Sequence, residues 1–445
     1  MPPLDWVTGD ALGLSIPAHK EALLPDAARF LSEALHLSGV LAADNCVVEI
    51  TQSTEVLSGG TGRKLMLSVA YERPDPGLHR DLFVKFSRDF ADAIRDRSRA
   101  MMESEVRVAA LSQLPGFPIH VPKCYFADYH AATGTGILIT ERVAFGKGGI
   151  EPLHIKCMDY EMERPLEHYR TIVTALARLA GAHKAGRLPE SIAWQFPFDR
   201  EKLMAADRIP YNATRLQNRV ARYADFAAEF PQLVPEHIRS SQFIKEFRDA
   251  VARFSEHEQA IRQFLHGNPA FIALCHWNAN IDNAWFWRNA RGEMECGLMD
   301  WGRAGQMNIA AALYGSLSGA EPEVWDEHLD SLLQVFCEEF ARCGAPALDA
   351  NELTLHLHLF TAMMGLAYLM DAPPIIRAEI PDLANARSRF DPRFQQNENA
   401  RVQMHMITMF LNQWQRHDFG ALLDGVMDRI VSQARRCDQG PPSMA

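Results

Sequence analysis

No stretch of this 445-residue chain approaches the ~20 consecutive apolar residues that a bilayer-spanning helix needs, so no membrane span is expected. The opening residues Met1-Pro2-Pro3-Leu4-Asp5 lack a basic segment followed by an apolar run, and no secretory signal is expected either. Basic charge is also short: 45 Lys and Arg face 56 Asp and Glu, a net charge of −11. A nucleic-acid binder normally carries a basic face, so no nucleic-acid partner is expected, and an anionic membrane surface is disfavoured. A local basic pocket for phosphates is compatible with that balance. The eight cysteines show no Cys-x-x-Cys spacing and read as reduced, buried thiols of a cytoplasmic protein. Internal repeats and low-complexity tracts are missing. What remains is an ordinary globular composition, 47% hydrophobic and 23% charged, in a chain long enough for two or three structural units.

The stretch that organises the rest is His276-Trp277-Asn278-Ala279-Asn280-Ile281-Asp282-Asn283. It is a loop of short polar side chains that runs into Ala284-Trp285-Phe286-Trp287, a period-two strand pattern. Residues 288–295, with Asn289 and Gly292, read as a turn. Cys296 to Met299 then forms a second apolar run with Asp300 at its end. A hairpin of this kind brings the carboxamide of Asn283 and the carboxylate of Asp300 toward one point. Few, hard oxygen ligands suit a Mg²⁺ ion that keeps waters and holds substrate phosphates. Cys275 beside His276 also suggests a nucleophile and its base, but adjacent residues usually point apart.

This arrangement resembles the catalytic centre of the aminoglycoside phosphotransferase and choline kinase group, whose loop reads His-x-Asp-x-x-x-x-Asn before a hairpin that ends in a metal-binding Asp. His276, Asn283 and Asp300 fall on the group's His, Asn and metal Asp. The group's catalytic Asp, two residues after the His, is Asn278 in this chain. The ecdysteroid-kinase-like branch is the nearest flavour, and the resemblance spans roughly residues 49–315. It implies a bilobal, protein-kinase-like α+β fold, with a five-stranded antiparallel sheet and one key helix in a small N-lobe and a larger helical C-lobe. It implies ATP and Mg²⁺ as cofactors and a small-molecule alcohol as acceptor.

The first half of the chain carries matching pieces. Ala18 to Leu37 shows the spacing of an amphipathic helix, with Leu23, Leu24, Ala27, Phe30, Leu31 and Leu35 on one face, and is expected to pack on the first lobe. Cys46 to Val56 and Arg63 to Tyr71 read as strands joined by Ser58-Gly59-Gly60-Thr61-Gly62. Gly59, Gly60 and Gly62 let the backbone come close to a phosphate with N–H groups pointing at it, although a plain hairpin turn has the same look. Asp81 to Phe86 is a third strand, with Lys85 among apolar residues, where an ammonium is costly unless an anion meets it; a snorkelling edge lysine is the bland alternative. Ala91 to Leu114 reads as a helix stopped by Pro115 and bearing Glu103 and Glu105. By the resemblance Glu105 pairs with Lys85, with Glu103 as the alternative, and such a pair sets the lysine against the α- and β-phosphates of a nucleotide. Two more strands, 121–128 and 136–143, complete five. Thr140 to Val143 would be the hinge at which backbone groups, including those of Glu141 and Val143, meet adenine. The N-lobe is accordingly taken as residues 1–143.

Residues 144–437 read as the helical C-lobe, followed by a frayed tail at 438–445. Helical patterns cover 166–184, 199–230, 235–265, 309–317, 323–341, 353–370, 402–415 and 419–434. His183 reads as a packed core histidine. The many methionines (Met307, Met363, Met364, Met370, Met404, Met406, Met409) read as adaptable core, with a pliable apolar substrate pocket as the minority reading. Residues 384–401 are polar and contain Pro392, the mark of a surface loop or lid.

Asn278 limits the chemistry. A carboxamide can orient a hydroxyl but is no useful base near neutral pH. Asp282 is close in sequence and is the substitute candidate, beside a role as a loop cap. Three functions follow in order: a small-molecule kinase, slow or with another base; a catalytically silent kinase-like protein that binds nucleotide as a regulatory or binding module; and a nucleotidyl transferase on the same scaffold. The retained Lys85, Asn283 and Asp300 favour the first.

Overall fold

The computed structural model describes residues 4–56 and 60–438. Gly59, one of the three glycines singled out above, and the tail from 439 onward lie outside the described residues. The chain divides into two compact units. The first comprises Met1–Leu153, His276–Asn278 and Asn283–Gly305; the second comprises His154–Cys275, Ala279–Asp282 and Gln306–Ala445.

The first unit is built on a sheet of five antiparallel strands, β3 (Val47–Val56), β4 (Arg63–Tyr71), β5 (Asp81–Phe86), β6 (Cys124–His130) and β7 (Thr135–Glu141), in the order β3-β4-β5-β7-β6. A two-residue side-chain period gives it two distinct faces. Leu65, Leu67, Val69 and Tyr71 of β4, Leu82, Val84 and Phe86 of β5, and Ile137 and Ile139 of β7 form one buried cluster. The helix α1 (Ala27–Leu37) closes that face with Phe30, Leu31, Ala34 and Leu35. The other face is covered by α2 (Met101–Ser112), whose Met102 and Val106 pack with Tyr129, Ala127 and Leu138. Strand, turn, lysine strand, glutamate helix and two further strands therefore follow in the order that the sequence leads one to expect of this α+β class.

Two local expectations are corrected, and one small element was not anticipated. The helix expected over 18–37 is split, because Pro25 has no N–H to donate. Lys20–Leu23 and a 3₁₀ turn at Leu24–Asp26 precede α1, and Leu24 is exposed rather than on the packed face. The helix expected over 91–114 is likewise broken: Asp92 caps a short helix, Ala93–Arg97, and a 3₁₀ turn at Ser98–Ala100 intervenes before α2. A small ladder of β1 (Trp6–Thr8) and β2 (Ser15–Pro17) was not legible at all, three residues being too few to show a period. The tryptophan hairpin forms as expected, with β8 (Ala284–Arg288) antiparallel to β9 (Met294–Leu298).

The second unit is mainly helical. Its central helix, α3 (Pro165–Lys184), is buried along Tyr169, Ile172, Val173, Leu176 and Leu179 and packs against α5 (Leu329–Arg342), while α4 (Ile309–Leu317) is buried throughout. In α6 (Ala350–Tyr368) and α7 (Glu398–Arg416) the side chains of Met363, Met364, Met404 and Met409 are buried, as core filling. Gly365 of α6 lies under the ring of Phe410, where any side chain would collide. The stretch 384–401 is not a free surface loop. It contains the short helix Pro392–Gln396 and the start of α7, and it buries Asp391, Phe394, Ala400 and Arg401. Arg401 is the reason: its guanidinium donates to the carbonyls of Lys156 and Gln395, a use of polar residues that composition cannot distinguish from solvation. The helix Ala372–Glu379 was missed; its Pro373 and Pro374 stand in the first turn, where proline is tolerated. Among the described residues no single helix is long and apolar enough to cross a membrane.

Four histidines of the second unit set its acid response. Burial pushes His266, His356 and His358 down to about 4 and His405 down to about 3, from an ordinary 6.5. The unfolded chain therefore binds more protons between those values, and stability is complete above pH ~6.5 and lost as pH falls towards 4. Asp159, which burial pushes up to about 7, acts in the opposite sense, its contribution fading as pH rises from ~4 to 7. The melting temperature, followed by circular dichroism, is expected to fall between pH 7 and 4.5, and His358→Phe to flatten that fall. An equally steep fall in His358→Phe would contradict this account.

Candidate functional site

Sheet geometry decides which side chains of the first unit converge. On β5 the core-facing residues are Leu82, Val84 and Phe86, so Lys85 must face α2. On α2 the stripe that covers the sheet is Met102, Glu105, Val106 and Ala109, at helical spacing, and Glu105 lies within it. The lysine Nζ donates to Glu105 Oε1 at 2.7 Å. Glu103 is a step around the helix and accepts instead from Arg107 on the outer side. Lys85 and Glu105 are each 4% exposed.

The same ammonium also donates to Asp300 Oδ1 at 2.8 Å. Asp300 is brought there by the hairpin. Register pairs Leu298 with Ala284, the Met299 N–H donates to the Asn283 carbonyl at 2.9 Å, and Leu298 N–H donates to His120 O at 2.9 Å. Asp300 then turns out of the strand direction with φ of +63°, an uncommon conformation for a residue other than glycine, though one that Asp tolerates better than most. Gly302 follows it, close enough to Met101 and Glu105 that an added Cβ would lie 3.2 Å from each.

His276 completes the frame from below. Its Nδ1 accepts the backbone N–H of Asn278 at 3.0 Å, which leaves the proton on Nε2 to donate to the Met299 carbonyl at 3.0 Å. Burial pushes its pKa down to about 4, so the ring is neutral at pH 7 as that tautomer requires, and it packs on Trp301 with ring centroids 4.2 Å apart. The Asn283 side-chain amide donates to the Asn278 carbonyl at 2.9 Å. His276 thus ties the loop to the residue before Asp300, and Asn283 ties the loop to itself.

The charges are mutually dependent. Burial alone would pull Lys85 down, but Glu105 and Asp300 hold its ammonium above the ordinary range. The Lys85 charge holds Asp300 down to about 2 against partial desolvation, so this carboxylate, 40% exposed, stays ionised at any ordinary pH. Burial raises Glu105, with Lys85 opposing. The available donors are an ionised carboxylate and a carboxamide, hard oxygens that fit Mg²⁺ rather than a softer metal.

Other sequence candidates fall elsewhere. Gly62 has φ of +55°, and a side chain there would strike the Phe86 carbonyl, so its backbone is pressed against the end of the lysine strand. Gly60 has open space around it. The Glu141 carboxylate accepts from Lys123 N at 2.8 Å and meets His79 Nε2 at 3.1 Å, while Val143 follows the end of β7. Asp282 groups with the second unit, within electrostatic reach of Asp159, Tyr169 and Cys157. In that unit burial pushes the Cys275 thiol up, far from nucleophilic, and His183 Nδ1 accepts the Leu274 N–H at 3.3 Å, a structural use. Sequence reasoning overlooked Lys64, the cross-strand partner of Lys85. Its alternation with Leu65 and Leu67 was the signal that could have found it.

No protein-family model matches the chain, and no curated protein matches it by sequence. Among solved structures, choline kinase from Cryptosporidium parvum is 13% identical, with 89% of this chain and 98% of that one covered and a TM-score of 0.43. A choline/ethanolamine kinase family protein from Mesorhizobium loti is 13% identical over 87% of this chain and 99% of that one, at 0.37. An aminoglycoside phosphotransferase from Streptomyces rimosus is 18% identical over 76% and 98%, at 0.35.

Removing one member of a buried ion pair leaves the other uncompensated. Lys85→Met is expected to destabilise the protein by about 3–5 kcal/mol, whereas replacing both partners, Lys85→Met with Glu105→Met, restores most of the loss. Urea denaturation of the two single variants and the double variant measures it; additive losses would refute the coupling.

Proposed function

We propose that this chain is an ATP-dependent phosphotransferase that acts on a hydroxyl of a small molecule. The observation that carries the reading is the lysine of β5 held between a helix carboxylate and the carboxylate that follows the hairpin. A buried ammonium aimed this way serves the α- and β-phosphates of a nucleotide, and its glutamate partner fixes it there. The backbone of the Gly60–Gly62 turn, with Gly59, contacts phosphate, and the backbone of Glu141 and Val143 contacts adenine. Asp300 and Asn283 would hold Mg²⁺, which when bound neutralises charge developing on the phosphate oxygens. His276 holds the loop in register with Asp300 through the Met299 carbonyl.

Asn278 accepts a hydrogen bond from the acceptor hydroxyl and orients it, without removing the proton. In a loose transition state the hydroxyl loses its proton late, so turnover survives at a rate lowered by about 10²–10⁴. The acceptor is taken as a small, largely apolar alcohol on the aromatic residues of the C-terminal half. The buried methionines are core filling and say nothing on this point. A reducing cytoplasm is proposed from the unbridged cysteines among the described residues, of which Cys46 and Cys343 are only part-buried.

Asn278 also supports a second reading, a nucleotide-binding protein without transfer activity. Incubation with Mg-ATP and a panel of alcohols, followed by mass spectrometry, separates the two. Release of ADP with a phosphate gained by one acceptor, lost in Asp300→Ala and quickened about 10²–10⁴-fold in Asn278→Asp, is expected. A melting temperature raised by ATP with no acceptor ever modified would establish the second reading. A nucleotide-modified product would point to nucleotidyl transfer.

A further inference from the structure

β4 and β5 pair so that Lys64 stands directly opposite Lys85. Opposed residues of an antiparallel pair put their side chains on the same face, with Cβ atoms about 4.5–5.5 Å apart. The face is not in doubt, because Leu65 and Leu67 on β4, like Val84 and Phe86 on β5, occupy the core on the other side. Lys64 is half-buried, and its charge lies within electrostatic reach of Asp300, Glu105 and Lys85 together, with Arg95 as a further cation nearby. Burial and the Lys85 charge lower its pKa; Asp300 and Glu105 raise it.

Two like charges directly opposed across a sheet are destabilising. Desolvation adds to that cost. Strand pairing and the core on the opposite face do not by themselves call for a second ammonium beside Lys85. An anion with more charge than Glu105 and Asp300 supply would do so. Lys64 is also two residues beyond Gly62, whose backbone lies against the Phe86 carbonyl, so the glycine turn and both lysines are neighbours by chain geometry alone.

We propose that Lys64 is a second phosphate-binding ammonium, and that the chain holds the polyphosphate of its nucleotide with two lysines on adjacent strands. The proposal rests on the nucleotide reading above and adds a residue to it. A lysine binds phosphate as a point charge without a fixed fork, so two of them tolerate a range of phosphate positions. The pair selects for nucleoside di- and triphosphates over nucleosides.

Calorimetric titration with adenosine, ADP and ATP in the presence of Mg²⁺ tests it, on the full chain and on Lys64→Met, Lys64→Gln and Lys64→Arg. Lys64→Met and Lys64→Gln are expected to weaken ADP and ATP by about tenfold or more while adenosine is unaffected, and Lys64→Arg to retain most of the affinity. The unliganded melting temperature is expected to hold or rise in Lys64→Met, since a like-charge pair is relieved. Wild-type affinity for ATP in Lys64→Met overturns the role of Lys64 and leaves the nucleotide reading standing. So does a lowered melting temperature with adenosine and ATP weakened in equal proportion, the signature of a merely structural lysine. If the unaltered protein binds neither ADP nor ATP, both readings fall.

Discussion

The interaction on which the first unit depends is the double ion pair at Lys85, whose ammonium donates to Glu105 at 2.7 Å and to Asp300 at 2.8 Å. A charged amine that is 4% exposed is tolerable only if anions surround it. That requirement joins three pieces of chain separated by 20 and by 215 positions: a central strand, a helix lying over it, and the residue after a hairpin. Each piece could form alone from local pattern. Their meeting point is set by the need to neutralise one another. Buried ion pairs of this kind are weak contributors to net stability, which is why a reason beyond folding is sought for this one.

The hairpin and the loop before it behave as a positioning device. Pairing of β8 with β9 fixes Met299 beside Asn283. The neutral ring of His276 then receives the Asn278 N–H on one nitrogen and donates to Met299 from the other. Such a ring can do both only while uncharged, and burial keeps it so at neutral pH. The consequence is a loop whose backbone is rigid where Asn278 stands. The carboxamide held there can donate and accept hydrogen bonds but has no basicity near neutral pH.

The first unit also sets cations side by side in an acidic protein. Lys64 and Lys85 stand opposite each other on paired strands, with Arg95 near by, against a net charge of −11 for the chain. Local fields of this kind are set by the few groups within several ångströms that share poor solvation, and total charge has little to say about them.

Much of this was legible from residue order. Short apolar runs between breakers located all five strands of the main sheet, and alternation located the hairpin, because a half-buried strand repeats every second residue. Spacing also put Lys85 in a strand and a glutamate on the following helix. The choice between Glu103 and Glu105 was not legible, since a helix has no intrinsic rotational origin; only the packing of Met102, Val106 and Ala109 against the sheet fixes it. Nor was the fate of residues 384–401, because an arginine that satisfies backbone carbonyls in the interior has the same letter as one in water. Local composition and period determine what each segment is. Which charges meet, and which polar side chains are buried, are decided by contacts between residues far apart in the chain, where desolvation makes every unpaired group costly and so selects one arrangement.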